Sequence, residues 1–282
     1  MAALALSVAP SASAFENVTR GATATFEFGT YPVGDTLMGQ IGGDWQGLRV
    51  SRDYHWVTQW EVFAALKGGY LGNQHPFLFL IGPHLSSWVE GGYRLSGQKG
   101  FSPYFGARVG GDVQLLGNPD VPQFDQINSV DGVGGVVAQG WARVGAGQSY
   151  VDDKRSVLIE VFAQELLQAR QVNTPSHAFT GLGVSLRVDV PQSWTMTIEA
   201  AWGATALRRS AFFDVTDYTS RATIGGSLRK IFKNGMWIGG MLSYERDMDQ
   251  VNYESAQTSY DTANAPMFTA QIFYGLPLWR SP

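Results

Sequence analysis

Cysteine is absent from the 282 residues, which excludes disulfide bonds and thiolate sites. Charge is also scarce, since Asp, Glu, Lys and Arg make up 16% of the chain against about 25% in a typical soluble domain. The net charge of −4 comes without a Lys/Arg cluster, so no nucleic-acid partner is expected. P-loop and G-x-S-x-G motifs are missing too, and no cofactor is expected.

Long apolar runs are missing as well. No stretch approaches the roughly 20 apolar residues of a membrane-spanning helix, and the mean hydropathy is −0.08. This absence does not exclude a membrane protein, because a barrel strand crosses the bilayer with about 9–11 residues, of which alternate ones face lipid. The plentiful residues are 34 Gly, 9 Trp, 11 Tyr and 16 Phe, and they suit close strand packing and interfacial aromatic girdles.

Residues 1–14, MAALALSVAPSASA, are apolar and end in an A-x-A pattern. We predict that they are a secretory signal peptide, although no Lys or Arg precedes the apolar stretch. The alternative is a disordered Ala/Ser-rich tail. The remainder, residues 15–282, is predicted to form one domain.

Apolar and polar residues alternate with period two along most of the chain, which is the pattern of strands with two different faces. In residues 104–115, Tyr104, Arg108 and Asp112 lie on one face, whereas Phe105 and Val109 lie on the other. A soluble sandwich turns such an apolar face inward, and a transmembrane barrel turns it outward.

The same alternation predicts strands over residues 20–29, 58–70, 87–96, 104–115, 136–150, 179–190, 194–205, 221–230, 236–245 and 268–274. Two segments are weaker. Residues 37–51 are interrupted by glycines, with Gln40 and Asp44 on one face. Residues 156–168 fit a strand or a helix, and we favour the strand. The total is about twelve strands, an even number as in single-chain bacterial barrels.

Connections between these strands alternate in length. Short turns rich in Gly, Pro, Asn and Asp are predicted at 53–55, 97–100, 152–155, 191–193 and 233–235. Longer connections are predicted at 72–86, 117–132, 171–176, 210–218 and 249–266, and residues 32–35 are a short exception. Several aromatic residues near strand ends are candidates for interfacial belts: Trp56, Tyr70, Tyr93, Tyr150, Trp194 and Trp237. Alternating loop lengths favour a transmembrane up-and-down barrel.

In these patterns the chain from Phe15 onward resembles Gram-negative outer-membrane β-barrels as a class. Phe268, Ala270, Ile272 and Tyr274 resemble the last strand of that class, although the chain continues to Pro282. The resemblance implies an all-β, transmembrane up-and-down antiparallel barrel of about 12 strands in the bacterial outer membrane. Its expected partners are outer-membrane lipid and other envelope proteins.

In such a barrel the polar faces of the strands line the lumen. The residues predicted to line it are Glu61, Lys67, Glu90, Arg94, Arg108, Asp112, Arg143, Glu160, Arg187, Asp189, Glu199, Arg221, Arg229 and Glu245. Both signs of charge are present. Such a lumen is either a polar channel that selects solutes or a set of salt bridges that closes a narrow barrel.

One spacing in the sequence is also compatible with a catalytic site. One class of outer-membrane phospholipase is a twelve-stranded barrel with His and Ser two positions apart on one strand, and His84 and Ser86 have this spacing. Ser87 and Trp88 follow where that class has Asn and Gly. The other histidines, His55, His75 and His177, lack metal-ligand spacing.

Residues 76–83, PFLFLIGP, are apolar on both faces. They either extend the next strand or contact a partner or the outer leaflet, through Phe77, Leu78, Phe79, Leu80 and Ile81. Residues 117–132 are a candidate constriction loop.

The sequence therefore predicts a passive pore or transporter for small polar solutes. The alternative is a structural or adaptor barrel, with a plugged lumen, inside a multi-protein envelope complex. A lipid hydrolase is a distant third, and no catalytic residue or metal ligand is assigned.

Overall fold

The structure, a computed structural model, describes residues 13–31, 34–71, 78–116, 135–170, 176–208, 215–247, 252–255, 258–261 and 267–277. Its strands are β1 (Ser13–Tyr31), β2 (Gly34–Ser51), β3 (Trp56–Leu71), β4 (Leu78–Arg94), β5 (Gly100–Leu116), β6 (Gly135–Val151), β7 (Ser156–Arg170), β8 (Ser176–Val190), β9 (Trp194–Arg208), β10 (Val215–Ile231), β11 (Trp237–Asp247), β12 (Asn252–Ser255), β13 (Thr258–Asp261) and β14 (Met267–Pro277). Within these ranges no helix is long and apolar enough to cross a membrane. The predicted leader lies outside the described residues except Ser13 and Ala14, which begin β1.

Strands β1–β11 and β14 form one closed antiparallel barrel, in which β1 pairs with both β2 and β14. The predicted all-β barrel of about twelve strands is confirmed. Both weak segments are strands: residues 37–51 lie in β2, and residues 156–168 lie in β7. Closure pairs the backbone groups of every strand, as a sheet that crosses a bilayer requires.

The outer face of the barrel is apolar and the inner face is polar, as the alternation predicted. On β1, Phe26 is 67% exposed, whereas its neighbour Thr25 is 5% exposed. Ile41 on β2, Leu182 on β8 and Ile272 on β14 are likewise exposed. These residues belong to an apolar belt that runs around the barrel, and so large an apolar surface is stable only against lipid.

Short turns lie at one end of the barrel, called here the turn end: residues 52–55, 95–99, 152–155, 191–193 and 232–236. The opposite end is called the loop end. Non-glycine residues with positive φ occur at Tyr54 (57°) and Gln192 (52°), both in these turns. Hydrogen bonds from Ser51 Oγ and the His55 backbone N–H hold the pKa of Asp53 below its usual value. The predicted short turns are thus confirmed.

Two elements differ from the prediction. Strands β12 and β13 form a separate hairpin in the connection between β11 and β14, where only a loop was expected. They are four residues each and mostly polar, so they lack two distinguishable faces. The assignment of Trp237 to an outer aromatic belt was wrong, because Trp237 is 1% exposed and faces the lumen.

The other belt aromatics that make ring contacts lie near the barrel ends. Trp56 packs edge-on against Tyr93 at the turn end, with ring centroids 5.1 Å apart, and Tyr150 packs against Phe101 at 4.9 Å. Tyr70 packs against Phe79 at the loop end. Aromatic rings in these positions suit the two membrane interfaces.

Lumen aromatic side chains lie flat against the wall where a neighbouring strand carries glycine. A Cβ at Gly92 would lie 2.0 Å from Tyr104 Oη, and a Cβ at Gly275 would lie 1.8 Å from Trp237 Cε2. Glycine is therefore required at both positions for the close approach of the ring.

We predict that Gly92→Ala destabilises the barrel by about 1–3 kcal/mol, because the added methyl group displaces the Tyr104 ring. The adjacent Gly91 points outward, and a Cβ there meets no atom within 4 Å. Gly91→Ala is the matched control and should be close to neutral. Urea unfolding in detergent micelles measures both variants, and equal midpoints would contradict the prediction.

Candidate functional site: the charged lumen

The residues predicted to line the lumen lie on the inward-facing positions of their strands. They are Glu61 and Lys67 on β3, Glu90 and Arg94 on β4, Arg108 and Asp112 on β5, Arg143 on β6, Glu160 on β7, Arg187 and Asp189 on β8, Glu199 on β9, Arg221 and Arg229 on β10, and Glu245 on β11. Each is buried or half-buried. The structure sorts most of them into three groups at different heights.

The middle of the lumen holds a group called here the arginine cluster: Glu90, Arg108, Arg143, Glu160 and Glu199. Arg143 forms an ion pair with Glu160 on the neighbouring strand, and its Nη1 lies 2.8 Å from Glu199 Oε1 on β9. Arg108 Nε donates to Glu90 at 2.6 Å, and its Nη1 lies 3.6 Å from Glu199. Because β5 and β6 are not neighbours of β9, these pairs cross the lumen.

Below this cluster, toward the turn end, two further arginines connect opposite walls. Arg187 pairs with Asp189 at 2.6 Å on its own strand and donates to Gln59 on β3. Arg229 on β10 donates to Thr19 on β1 at 2.9 Å and to Asp44 on β2 at 3.2 Å.

A cavity separates the two guanidinium groups. Its lining includes Thr195 and Ile231 together with both arginines, and it has room for about one water molecule. The lumen is therefore bridged from wall to wall at this height.

The turn end of the lumen is filled by an apolar floor. Its residues come from β1, β2, β3, β5, β6 and β7 and are Phe15, Leu48, Val50, Val57, Tyr104, Val151 and Leu158. All are at most 5% exposed. Tyr104 joins the floor to the arginine cluster, because its hydroxyl donates to Glu90 at 2.6 Å.

Arg94 was predicted as a charge that lines the lumen, and its actual contacts are with the turns. Its guanidinium donates to the backbone oxygens of Tyr54, Gln98 and Gly100 and to Ser149 Oγ, at 2.7–3.2 Å. The side chain is fully buried. Arg94 therefore holds two turns against the floor and leaves no charge facing a channel.

Nearer the loop end, a chain of hydrogen bonds follows the wall from β5 to β14. Asp112 accepts from Gln114 at 3.1 Å, and Gln114 in turn accepts from Lys67 at 3.5 Å. Lys67 pairs with Glu27 at 3.4 Å, and Glu27 accepts from Gln271 at 2.7 Å. The charges of this wall are thus satisfied by their neighbours.

His84 belongs to the same wall. Its Nε2 pairs with Asp112, and its Nδ1 lies 2.9 Å from Gln40 Oε1. Both ring nitrogens are occupied by residues other than Ser86, and the ring faces the lumen. The His-x-Ser spacing therefore does not produce a base poised on a serine at the lipid face.

The wall formed by β9, β10 and β11 differs from the rest. Although Arg229, Trp237 and Met241 also point inward, several of its inward positions carry small or hydroxyl-bearing residues: Thr195, Thr197, Ala201, Thr223, Gly225, Ser227, Gly239 and Ser243. The side chains of Glu199 and Glu245 are 36% and 33% exposed on this wall, and Glu245 pairs with Arg221.

Most of the apolar segment 76–83 belongs to β4, which begins at Leu78. The interpretation that this segment extends the next strand is therefore confirmed. Phe79 and Ile81 point outward, and Leu80 is buried in the lumen. Phe77 lies outside the described residues, as does the predicted constriction loop 117–132; Leu78 is the first residue of β4.

Sequence reasoning left several lumen residues out of the candidate list. Asp44, Gln59 and Glu27 make cross-strand contacts equal to those of the predicted residues. Their position on the polar face of each strand could have identified them, because parity decides the face. The apolar floor gave no such signal, because valine and leucine near a strand end fit either face. No group of three or more potential metal ligands occurs among the described residues.

Comparison with known proteins finds structures that share the fold of this chain, and it assigns the chain to no family. No family profile matches the chain, and no curated protein matches it. An outer-membrane channel from Pseudomonas putida F1 is 11% identical, with a TM-score of 0.48, over 92% of this chain and 94% of that one.

Two further solved structures share this architecture. The translocator domain of the autotransporter NalP from Neisseria meningitidis is 12% identical, with a TM-score of 0.39, over 93% of this chain and 88% of that one. An anion-selective porin from Comamonas acidovorans is 9% identical, with a TM-score of 0.33, over 92% and 99%. The chain has the fold of bacterial outer-membrane β-barrels, and its apolar belt is suited to that membrane.

We predict that Arg143→Ala destabilises the barrel by about 3–5 kcal/mol, because it leaves the buried Glu160 carboxylate without its cation and removes the shorter of the two ion pairs of Glu199. Arg155→Ala is the control, since Arg155 pairs with Asp152 at 3.4 Å in an exposed turn; its effect on the free energy of unfolding should be close to neutral. Urea unfolding followed by tryptophan fluorescence in micelles compares the two. A small effect of Arg143→Ala would show that the cluster is not held by this pair.

Proposed function

We propose that the protein is a structural outer-membrane barrel with a closed lumen and does not serve as a permanently open pore. The observation that carries this proposal is the apolar floor. Its residues are almost fully buried at the turn end, where a polar solute would have to leave the lumen. Burial of this kind excludes water, and a passage for polar solutes requires water.

The charges of the lumen support the same proposal. Arg108, Arg143, Arg187 and Arg229 each have a carboxylate partner inside the barrel. A channel that selects solutes by charge presents carboxylates or cations that remain available to the solute. Here the ion pairs satisfy one another and join opposite walls, so their main effect is to hold the barrel closed.

A barrel with such a lumen acts through its surfaces. We propose that it works within the cell envelope by presenting its loop-end connections and its outer face to other envelope proteins and lipid. A lipid hydrolase is not proposed, because both ring nitrogens of His84 are engaged within the lumen wall.

A gated passage for small polar solutes is the second candidate, and the wall of β9–β11 favours it. Its small and hydroxyl-bearing side chains occupy less volume than the arginines of the other walls, and Ile231 and Trp237 are buried toward the turn end. The half-exposed side chains of Glu199 and Glu245 also lie on this wall. If the floor moved aside, this wall would be the path for solute.

Planar-bilayer recording of the purified protein tests the closed lumen. We expect the wild-type protein to show no steady stepwise conductance at high salt, because the floor and the arginine pairs occlude the lumen. A steady conductance of the wild type would contradict the proposal.

A floor variant tests the second candidate. Phe15→Ala, Leu48→Ala and Leu158→Ala together empty the floor, and the triple variant should conduct if a passage lies above it. The matched control is Phe26→Ala, Leu182→Ala and Leu228→Ala, which removes one phenylalanine and two leucine side chains from the lipid face. This control should show no conductance. A heat-modifiable gel shift verifies folding of both. A silent, folded floor variant would contradict the gated passage.

A further inference from the structure

Two outward-facing arginines lie on neighbouring strands toward the turn end. Arg20 on β1 and Arg49 on β2 are exposed on the outer face. Near the turn end, β7, β8 and β9 present Ile159, Val188 and Met196 outward, and β10 presents Lys230.

Two indole rings lie beside these arginines. A Cβ at Gly47 would lie 2.6 Å from Trp60 Cζ2, so the Trp60 ring lies across β2 at this glycine. Trp45 meets Trp60 edge-on, with centroids 5.8 Å apart, and Arg49 Cζ lies 5.3 Å from the Trp60 centroid. Arg20 and Trp45 are register partners. Arg20, Trp45, Arg49 and Trp60 are called here the indole–arginine patch.

The two arginines differ in their partners. Arg49 is paired with Glu16 at 3.0 Å, which neutralises it. Arg20 forms no hydrogen bond or ion pair with any other residue that the structure describes. Among the described residues, the patch and Glu16 together therefore carry one positive charge without a counter-ion, on Arg20.

Arg20 also occupies the border of the apolar belt. The next outward positions on β1 are Ala22, Ala24 and Phe26. A cation that faces hydrocarbon without a counter-ion is unfavourable, and the cost decreases toward the interface. An anion at the level of the lipid headgroups would remove that cost.

We infer that the indole–arginine patch binds the headgroup of an anionic phospholipid in the leaflet at the turn end. The single uncompensated charge of the patch matches a monoanionic phosphodiester. A guanidinium binds phosphate oxygens through two parallel hydrogen bonds. Indole rings are favoured at the depth of the headgroup and upper acyl region, where Trp45 and Trp60 would pack on the lipid.

Native mass spectrometry of the full chain in detergent tests this site. The probes are phosphatidylglycerol and phosphatidylcholine with identical acyl chains. The wild type should retain phosphatidylglycerol in preference. Arg20→Gln should lower its affinity by about fivefold, the factor that corresponds to about 1 kcal/mol per basic residue at a membrane surface, with little change for phosphatidylcholine. Arg20→Lys should keep most of the preference.

The control is Lys230→Gln, which removes an outward cation from the same rim on β10; Lys230 donates to Ser193 Oγ at 3.2 Å. This variant should bind phosphatidylglycerol as the wild type does. Unchanged affinity in Arg20→Gln would overturn the site. An equal loss in Lys230→Gln would also overturn it, because the effect would then reflect total charge. Equal weakening toward both lipids would exclude an anionic headgroup.

Discussion

The pairing of β1 with β14 is the constraint on which the rest of the structure depends. Their register runs from Gly21↔Pro277 to Thr30↔Phe268 and joins the two ends of the chain into one sheet. In lipid, an open sheet edge would leave several unpaired backbone groups, each of which is costly. Closure removes the edges and fixes the size of the lumen. Every inward side chain must then fit within that fixed volume.

The charge pattern of the lumen follows from this geometry. Side chains from twelve strands converge on a space that they largely fill, so a cation on one wall meets a carboxylate on another. Arg143 contacts Glu160 beside it and Glu199 across the lumen. Like charges in the same positions would repel in a medium of low dielectric constant, whereas mixed signs neutralise one another. The balance of charge is therefore a requirement of a filled lumen, which supports the closed-barrel proposal over the open pore.

The sequence predicted the wall of this barrel far better than its contents. Period-two alternation identified the strands and the inward position of residues such as Arg108 and Glu160, since parity alone decides the face of a strand. The same parity would have placed Trp237 inside, because Ile238 and Leu242 alternate outward on β11. It was assigned to a belt on residue type alone, and the glycines that accommodate its ring lie on other strands.

Contacts between distant strands could not be predicted from one sequence. Arg187 and Gln59 are separated by 128 positions in the sequence. Other partners that meet only when the barrel closes, such as Arg229 and Asp44, are also far apart in the sequence. The floor was missed for a related reason. Valine at a strand end fits either face, and the burial of Val50 and Val151 depends on the packing of several strands together.

The floor also divides the barrel mechanically. All of its residues come from β1–β7, and none comes from β8–β14. The first half of the chain thus has an internal core of its own, which resists bending as a packed interior does. The strands from β8 to β14 contribute no residue to this floor, and β9 to β11 carry several small inward side chains. We therefore expect lateral pressure in the membrane to deform these strands more than β1–β7.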